Sequence, residues 1–144
     1  MRALGIDLGT RRIGVAVSDS AGSLAMPYEV VARSGDRHRD HLRIAELVAE
    51  AEAEMVVVGV PYSLDGSIGP AASSALAEAE ELACTIAVPV ETYDERFTTT
   101  TADRSLMDRN MKAAARRRVV DKVAAAVILQ SWLDTRRHER HRDE

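Results

Sequence analysis

Three acidic residues in this sequence occupy positions where a carboxylate has a chemical role and not only a solvating one. Asp7 lies within the apolar run of residues 4–8, Glu95 follows the last predicted strand, and Asp121 lies near the start of the last predicted helix. Burying an ionised carboxylate is costly unless a cation or several donors lie beside it. Carboxylate oxygens together with water and phosphate suit Mg²⁺, and no Cys or His pattern indicates zinc. We therefore expect Asp7, Glu95 and Asp121 to be catalytic residues that bind Mg²⁺, with Mn²⁺ able to replace it.

The chemistry that follows from such a cluster is hydrolysis of a phosphodiester. A bound divalent ion lowers the pKa of a water molecule, orients the phosphate and neutralises charge on the leaving oxygen. Two simpler interpretations stay open at this point. Asp7 could be a turn residue that accepts hydrogen bonds from the amides of Gly9 and Thr10, and Glu95 could pair with Arg96 or with a basic residue of the last helix.

The elements that must position these acids follow from hydrophobic periodicity. Apolar runs predict strands at residues 4–8, 13–17, 24–32, 55–60 and 88–93. Apolar residues at helical spacing predict helices at residues 38–53, 70–86, 102–110 and 113–135. The first three strands should be antiparallel, whereas the last two follow helices and should be parallel. This order predicts an α/β fold with a mixed five-stranded sheet flanked by helices.

The sheet can bring the three acids together. If the last strand lies beside strand 55–60 and the last helix packs across the sheet, all three carboxylates meet near the carboxyl edge, where open α/β sheets bind their ligands. Like charges at that distance raise one or more of their pKa values unless a cation lies between them.

Composition predicts one soluble domain. The chain has 144 residues, of which 46% are hydrophobic and 29% charged, which is enough for a core without disulfides. We expect a single domain at residues 1–135 and a flexible charged tail at 136–144. No run is long enough to cross a membrane and no signal peptide precedes the first strand, so a cytoplasmic protein is expected. Cys84 is expected to pack within its helix.

Charge is unevenly distributed along the chain. The net charge is -4, yet the segment 96–122 has eight basic residues and three acidic ones. This segment could meet phosphates, although a solvated helical face explains the same charge pattern. The acids collect instead at residues 46–54 and 78–91, on helices that we expect to lie away from the ligand. The basic residues of the segment are Arg96, Arg104, Arg109, Lys112, Arg116, Arg117, Arg118 and Lys122.

Four motifs resemble one known family. They are GIDLGTRRIGVAVSD at residues 5–19, VVGVPYSLDGS at 57–67, YDERFTT at 93–99 and VDKVAAAVILQSWLD at 120–134. Together they resemble the YqgF/RuvX family, relatives of the RuvC Holliday-junction resolvase in the RNase H-like superfamily. The resemblance covers almost the whole chain. The chain departs from the family pattern at Tyr62-Ser63, where Asn is common, and at residues 111–118, where a Gly- and Lys-rich approach to the last helix is usual.

The resemblance implies an RNase H-like fold and a nuclease that trims the precursor of small-subunit ribosomal RNA. The acids of the family motifs fall on Asp7, Glu95 and Asp121. Asp94 belongs to the same motif as Glu95, but neighbouring strand residues point to opposite faces, so only one should reach the metal, and we choose Glu95. Arg96 and Thr98 are placed either to meet phosphate or to support the loop. The candidate substrate-binding residues are Arg11, Arg12, Arg96, Thr98, Arg117 and Arg118.

The leading hypothesis is therefore a Mg²⁺-dependent endonuclease acting on structured RNA during ribosome maturation. The main alternative is a resolvase of four-way DNA junctions, because the same fold and acids would serve either substrate. A nucleic-acid-binding module without catalysis would gain nothing from acids that repel phosphate. An actin-like ATPase, suggested by Asp7-Leu-Gly-Thr10, needs a second lobe that 144 residues without an internal repeat do not supply. A monomer or a homodimer is expected.

Overall fold

The fold follows from a computed structural model that describes residues 1–98 and 113–143, with the side chains of residues 113–122, 138 and 140–143 outside the described part. Over this part of the chain, five strands and three α-helices are present. The strands are β1 (Ala3–Leu8), β2 (Arg12–Ser18), β3 (Ala25–Ala32), β4 (Met55–Val60) and β5 (Val90–Asp94). The helices are α1 (Arg37–Ala51), α2 (Pro70–Thr85) and α3 (Ala113–Asp143), and a 3-10 turn, Glu95–Phe97, follows β5.

The strands form one sheet in the order β3-β2-β1-β4-β5. The pairs β3–β2 and β2–β1 are antiparallel, and β1–β4 and β4–β5 are parallel. The predicted mixed sheet is therefore confirmed, as is the place of the last strand beside β4. Short turns join the first three strands, whereas a helix precedes each of the last two. That difference in connection length accounts for the change in strand direction.

Helices cover both faces of this sheet. Leu4, Ile6, Val56 and Val58 pack with residues of α1 and α2 on one face. On the other face α3 packs against a second set of strand residues, which includes Ala3, Ala16 and Val57. The buried residues of α3 in this core are Ala125, Ile128, Leu129, Trp132 and Leu133. Because side chains alternate along a strand, each residue of β1 is assigned to one face or the other.

Gly5 lets α3 approach the sheet closely. A Cβ atom at this position would lie 2.6 Å from the Cβ of Leu129 and 2.9 Å from the main-chain oxygen of Ala125. No side chain other than hydrogen fits there without moving the helix. The glycine of the first strand therefore fixes where α3 crosses β1.

The structure differs from the sequence-based expectations in several places. The last helix continues to Asp143, beyond the expected end near residue 135, because the tail contains no Gly or Pro to stop it. Cys84 is exposed and not packed, since the buried stripe of α2 ends on Ala79 and Leu82. The helix predicted at 102–110 lies outside the described residues.

No helix among the described residues combines the length and the hydropathy needed to span a membrane.

Candidate metal and active site

Asp7 lies at the carboxyl end of β1, on the face of the sheet that α3 covers. Leu4 and Ile6 belong to the opposite core, and Gly5 contacts α3, so strand alternation directs Asp7 toward α3. The N–H of Gly9 donates to the main-chain oxygen of Asp7 (3.2 Å). The parallel register pairs Ile6 with Val58, which places Asp7 beside Gly59.

Gly59 makes room for the side chain of Glu95. A Cβ atom on Gly59 would lie 3.0 Å from Cγ and 3.2 Å from Cδ of Glu95, and 2.6 Å from Cδ1 of Ile128. The chain leaves β5 at Asp94 and turns at once into the 3-10 helix, which carries Glu95 back over β4. The structure therefore brings Glu95 to the same face and the same edge of the sheet as Asp7.

The electrostatics of Glu95 reflect this position. Burial, together with the negative charges of Asp7 and Asp94, raises the pKa of Glu95 from 4.5 to about 7. Ionising Glu95 beside a second carboxylate is costly. A bound cation between the two groups removes that cost, because its positive charge lowers the pKa of both. The donor set of hard oxygen ligands fits Mg²⁺.

The third predicted acid, Asp121, lies in α3, and its side chain is outside the described residues. The position of the helix is nevertheless fixed by Ala125, which lies over Gly5, and by Ile128, which lies over Gly59. Residue 121 precedes Ala125 by about one helical turn and Ile128 by about two. Within the described side chains, no group of three acidic, His or Cys residues gathers closely enough to hold a metal.

Asp94 has a different environment from its neighbour Glu95. The Nε and Nη2 atoms of Arg96 donate to the Asp94 carboxylate at 3.0 and 2.6 Å, and the N–H of Arg96 donates to it at 2.9 Å. These hydrogen bonds hold the pKa of Asp94 below its usual value. The guanidinium of Arg96 therefore pairs with Asp94, and not with Glu95 as one interpretation of the sequence allowed.

Arg96 also connects two loops at this edge. Its guanidinium lies 5.9 Å from the ring centre of Tyr62 and 5.7 Å from that of Phe97. Gly66, at φ +86°, keeps the space beside it clear, since a Cβ there would lie 3.2 Å from Nη1 of Arg96. The hydroxyl of Thr98 donates to the main-chain oxygen of Glu95 (2.7 Å). These contacts of Arg96 and Thr98 are those of a loop support, and a role in binding phosphate stays a prediction for both.

The remaining predicted substrate-binding residues are less defined. Arg11 is exposed in the turn after β1, and Arg12 is half-buried at the start of β2. Arg117 and Arg118 lie in the first turns of α3, with side chains outside the described residues. Arg117 and Arg118 belong to the basic segment 96–122, whereas Arg11 and Arg12 were named with the family resemblance, and phosphate binding stays a prediction for all four.

Sequence reasoning missed two residues of this site. Gly59 was counted as part of a buried strand, although a glycine within a β-branched run is a signal of close approach by another group. Phe97 was not considered, although its ring is 66% exposed two residues after Glu95. Because only 3% of the residues are aromatic, an aromatic residue next to a candidate acid could have been recognised from the sequence as a candidate binding residue.

Replacing Gly59 with alanine is expected to damage the site more than the fold. The new Cβ would overlap Ile128 and displace Glu95, so we expect at least a tenfold fall in any cleavage rate and a loss of about 1–3 kcal/mol in the free energy of unfolding. Urea denaturation and a cleavage assay measure the two effects. Gly69→Ala is the matched control, because its Cβ would meet only Ser63 Oγ, at 3.1 Å. Equal activity of the two variants would contradict this role for Gly59.

Comparison with known proteins adds the family to this geometry. Residues 1–135 match the sequence profile described as "RuvX: Holliday junction resolvase". A protein of Mycobacterium sp. (strain KMS) described as "Putative pre-16S rRNA nuclease" is 51% identical over 137 residues, which cover 94% of this chain and 81% of that protein. A protein of the same description from Listeria monocytogenes serovar 1/2a is 43% identical over 136 residues, covering 94% and 99% of the two chains.

Among solved structures, the chain is similar to RuvC of T. thermophilus in complex with a Holliday junction substrate. The TM-score is 0.58 at 20% sequence identity, over 94% of this chain and 96% of RuvC. A second structure of Thermus thermophilus RuvC gives a TM-score of 0.53 at 19% identity. These likenesses show that the fold is RNase H-like, as predicted. Since the profile matches nearly the whole chain and relatives share about half of its residues, this protein belongs to the RuvX (YqgF) family.

Proposed function

We propose that this protein is a metal-dependent endonuclease that processes the 5′ end of precursor 16S ribosomal RNA. The observation that carries the proposal is the pair of carboxylates at one sheet edge, Asp7 and Glu95, with the pKa of Glu95 raised to about 7. The names of its relatives supply the substrate, since proteins 51% and 43% identical to it are described as pre-16S rRNA nucleases.

Asp7 and Glu95 would hold Mg²⁺ together with Asp121 from α3, and Mn²⁺ would serve in its place. When bound, the ion would supply Lewis acidity toward the phosphate and a water of lowered pKa. Other residues of the chain position the Glu95 carboxylate for this role. Thr98 and Asp94 fix the turn that carries Glu95, and the close approach at Gly59 determines how far Glu95 reaches over β4.

The substrate backbone would pass along the basic residues beside the acids. Arg11 and Arg12 follow the Asp7 strand, and Arg117 and Arg118 precede Asp121 on α3. Guanidinium groups bind phosphate oxygens through paired donors, which position a nucleic acid without reading its sequence. We place this activity in the cytoplasm, in a monomer or a homodimer.

Phe97 offers a surface on which an unpaired base could stack. Its ring is 66% exposed, Arg96 lies against it, and Leu64, which is 96% exposed, lies in the loop that Arg96 contacts. Exposed apolar side chains beside a catalytic acid are costly in water and useful for binding unpaired nucleotides.

Phe97→Ala is therefore expected to weaken RNA binding more than it slows cleavage at saturating RNA. Stacking of one base contributes about 1–3 kcal/mol, so the dissociation constant should rise by about 5-fold to 150-fold. Fluorescence anisotropy with a labelled RNA in Ca²⁺ or EDTA measures it. Leu42→Ala, which removes a 46% exposed side chain from α1, should leave the affinity unchanged. An affinity for Phe97→Ala equal to that of the wild type would exclude the stacking role.

A resolvase of four-way DNA junctions is the second candidate. The family description names a Holliday junction resolvase, and the RuvC structure of the same fold contains that substrate. Cleavage of precursor 16S RNA and of a four-way DNA junction, measured side by side with Mg²⁺ and Mn²⁺, distinguishes the two. RNA cleavage at the 5′ precursor end supports the proposal, whereas cleavage confined to the DNA junction would replace it.

A further inference from the structure

A buried ion-pair network lies on the other face of the sheet, behind the turn that joins β1 and β2. Glu78 belongs to the acids of α2 that were expected to lie away from the ligand, and its side chain is only 4% exposed. Arg33 donates to both of its carboxylate oxygens at 2.9 Å, and Nε2 of His41 lies 2.8 Å from one of them. His41 is itself 2% exposed. The network connects α2, α1 and the end of β3.

The groups around Glu78 stabilise its negative charge. Burial raises its pKa, but the hydrogen bonds from Arg33 and His41 and the charges of Arg33 and Arg37 outweigh that effect and hold the pKa below its usual value. Glu78 is therefore a fixed anion at neutral pH. A fixed anion of this kind orients the planar guanidinium of Arg33, because both terminal nitrogens of the guanidinium donate hydrogen bonds to it.

The third donor of Arg33 reaches the turn. Its Nε donates to the main-chain oxygen of Gly9 (2.8 Å), and its main-chain N–H donates to the main-chain oxygen of Arg11 (2.9 Å). The turn is thus held at two of its residues by one arginine. Neither contact would be expected from the sequence, because Arg33 follows Gly9 by 24 residues and Glu78 follows Arg33 by 45.

The contact between Arg33 and the β1–β2 turn is important because this turn connects directly to Asp7. Gly9 is hydrogen-bonded to Asp7 through its N–H (3.2 Å), and Arg11 and Arg12 follow directly. A shift of the Gly9 carbonyl would therefore move the end of β1, where the Asp7 side chain points toward α3. The network lies on one side of the sheet, and the site it supports lies on the other.

We propose that Arg33 is a positioning residue, which Glu78 orients and which fixes the β1–β2 turn through Gly9 so that Asp7 is held for metal binding. This inference rests on the proposed function of Asp7. The competing interpretation is that the ion pair only joins α1, α2 and β3. The two differ in a measurable way, because a structural ion pair can be replaced by apolar side chains, whereas the bond to Gly9 cannot.

The test uses two variants of the full chain. In the first, Arg33→Met, His41→Leu and Glu78→Leu replace the whole network by apolar side chains. In the second, Arg33→Lys keeps the charge, but a single ammonium cannot make the paired contact with Glu78 and also reach Gly9. Arg37→Gln is the matched control, because Arg37 lies 4.0 Å from Glu78 and donates to the exposed Glu81 (3.2 Å), so the substitution removes a charge beside Glu78 and leaves the bond from Arg33 to Gly9 in place. Urea denaturation, Mn²⁺ affinity by calorimetry, and kcat and KM are measured for each.

For both variants we expect a loss of about 10- to 100-fold in Mn²⁺ affinity and in kcat, with KM changed by less than about threefold, as for residues that orient a metal ligand. Arg37→Gln should match the wild type. A folded variant with wild-type Mn²⁺ affinity and kcat overturns the proposal, and so does an equal loss in Arg37→Gln. If the triple variant does not fold, Arg33→Lys alone decides.

Asp7→Asn, measured in parallel, separates this proposal from the function on which it rests. If Asp7→Asn cleaves like the wild type, the proposed site is wrong and the positioning role is overturned with it. If Asp7→Asn is inactive while the Arg33 variants behave like the wild type, only the positioning role is overturned.

Discussion

Replacing Asp7 with asparagine is expected to abolish cleavage while leaving nucleic-acid affinity unchanged or higher. The substitution keeps the size and polarity of the side chain but removes the negative charge that Asp7 places beside Glu95. Loss of one group that stabilises developing charge lowers kcat by about 10²–10³-fold, and loss of a metal ligand should reach at least that range. Affinity should not fall, because a carboxylate repels phosphate.

The measurements are single-turnover cleavage of precursor 16S RNA, binding of the same RNA in EDTA, and Mn²⁺ binding by calorimetry. Glu91→Gln removes an exposed charge from the neighbouring strand β5 and should leave all three unchanged. Wild-type cleavage by Asp7→Asn would end the nuclease proposal. Loss of cleavage together with an equal loss of RNA affinity would indicate damage to the binding surface and not to the metal site.

Glu95→Gln is expected to inactivate the enzyme and yet stabilise the metal-free protein at alkaline pH. In the folded state the pKa of Glu95 is about 7, against 4.5 for the free side chain, so the folded protein binds this proton more tightly than the unfolded chain. The stability that this proton contributes is complete below pH 4.5 and is lost as the pH rises through about 7. Glutamine is neutral throughout and loses nothing.

The difference in unfolding free energy between Glu95→Gln and the wild type should therefore grow from pH 4.5 to pH 8. It should reach on the order of 2–3 kcal/mol, because partial solvent exposure of Glu95 reduces the effect of its raised pKa on stability. Urea denaturation in EDTA across this range measures it. Adding Mg²⁺ at pH 8 should stabilise the wild type and have a smaller effect on Glu95→Gln. A difference that stays constant with pH would show that Glu95 ionises normally.

The local elements of this protein follow from its sequence. Apolar runs identify all five strands to within about two residues, and turn residues identify the hairpin that carries Asp7. Burial on both faces marks β4 as an interior strand, and the candidate site was expected at its carboxyl end. These features are determined by residues close in the chain, where periodicity and turn chemistry act directly. The motifs of the resemblance add the family, which the comparison confirms.

Contacts between distant residues were decided only by the tertiary structure. Strand alternation predicted only that one of Asp94 and Glu95 reaches the metal, and Glu95 was chosen. In the structure Arg96 hydrogen-bonds to Asp94, and the side chain of Glu95 lies over Gly59. Cys84 was assigned to the wrong environment and the burial of Glu78 was not foreseen, because helical periodicity does not fix how a small-residue helix such as α2 is rotated against the sheet.

The sequence by itself thus determined which acids are available and on which elements they lie. Only the fold decided that Glu95 comes over Gly59 beside Asp7 and that Arg33 reaches the turn from the opposite face. The physical reason is that side-chain periodicity is a property of one segment. The pKa of Glu95, the space above Gly59 and the hydrogen bond from Arg33 to Gly9 each depend on the distance between segments, which close packing of the helices on the sheet determines.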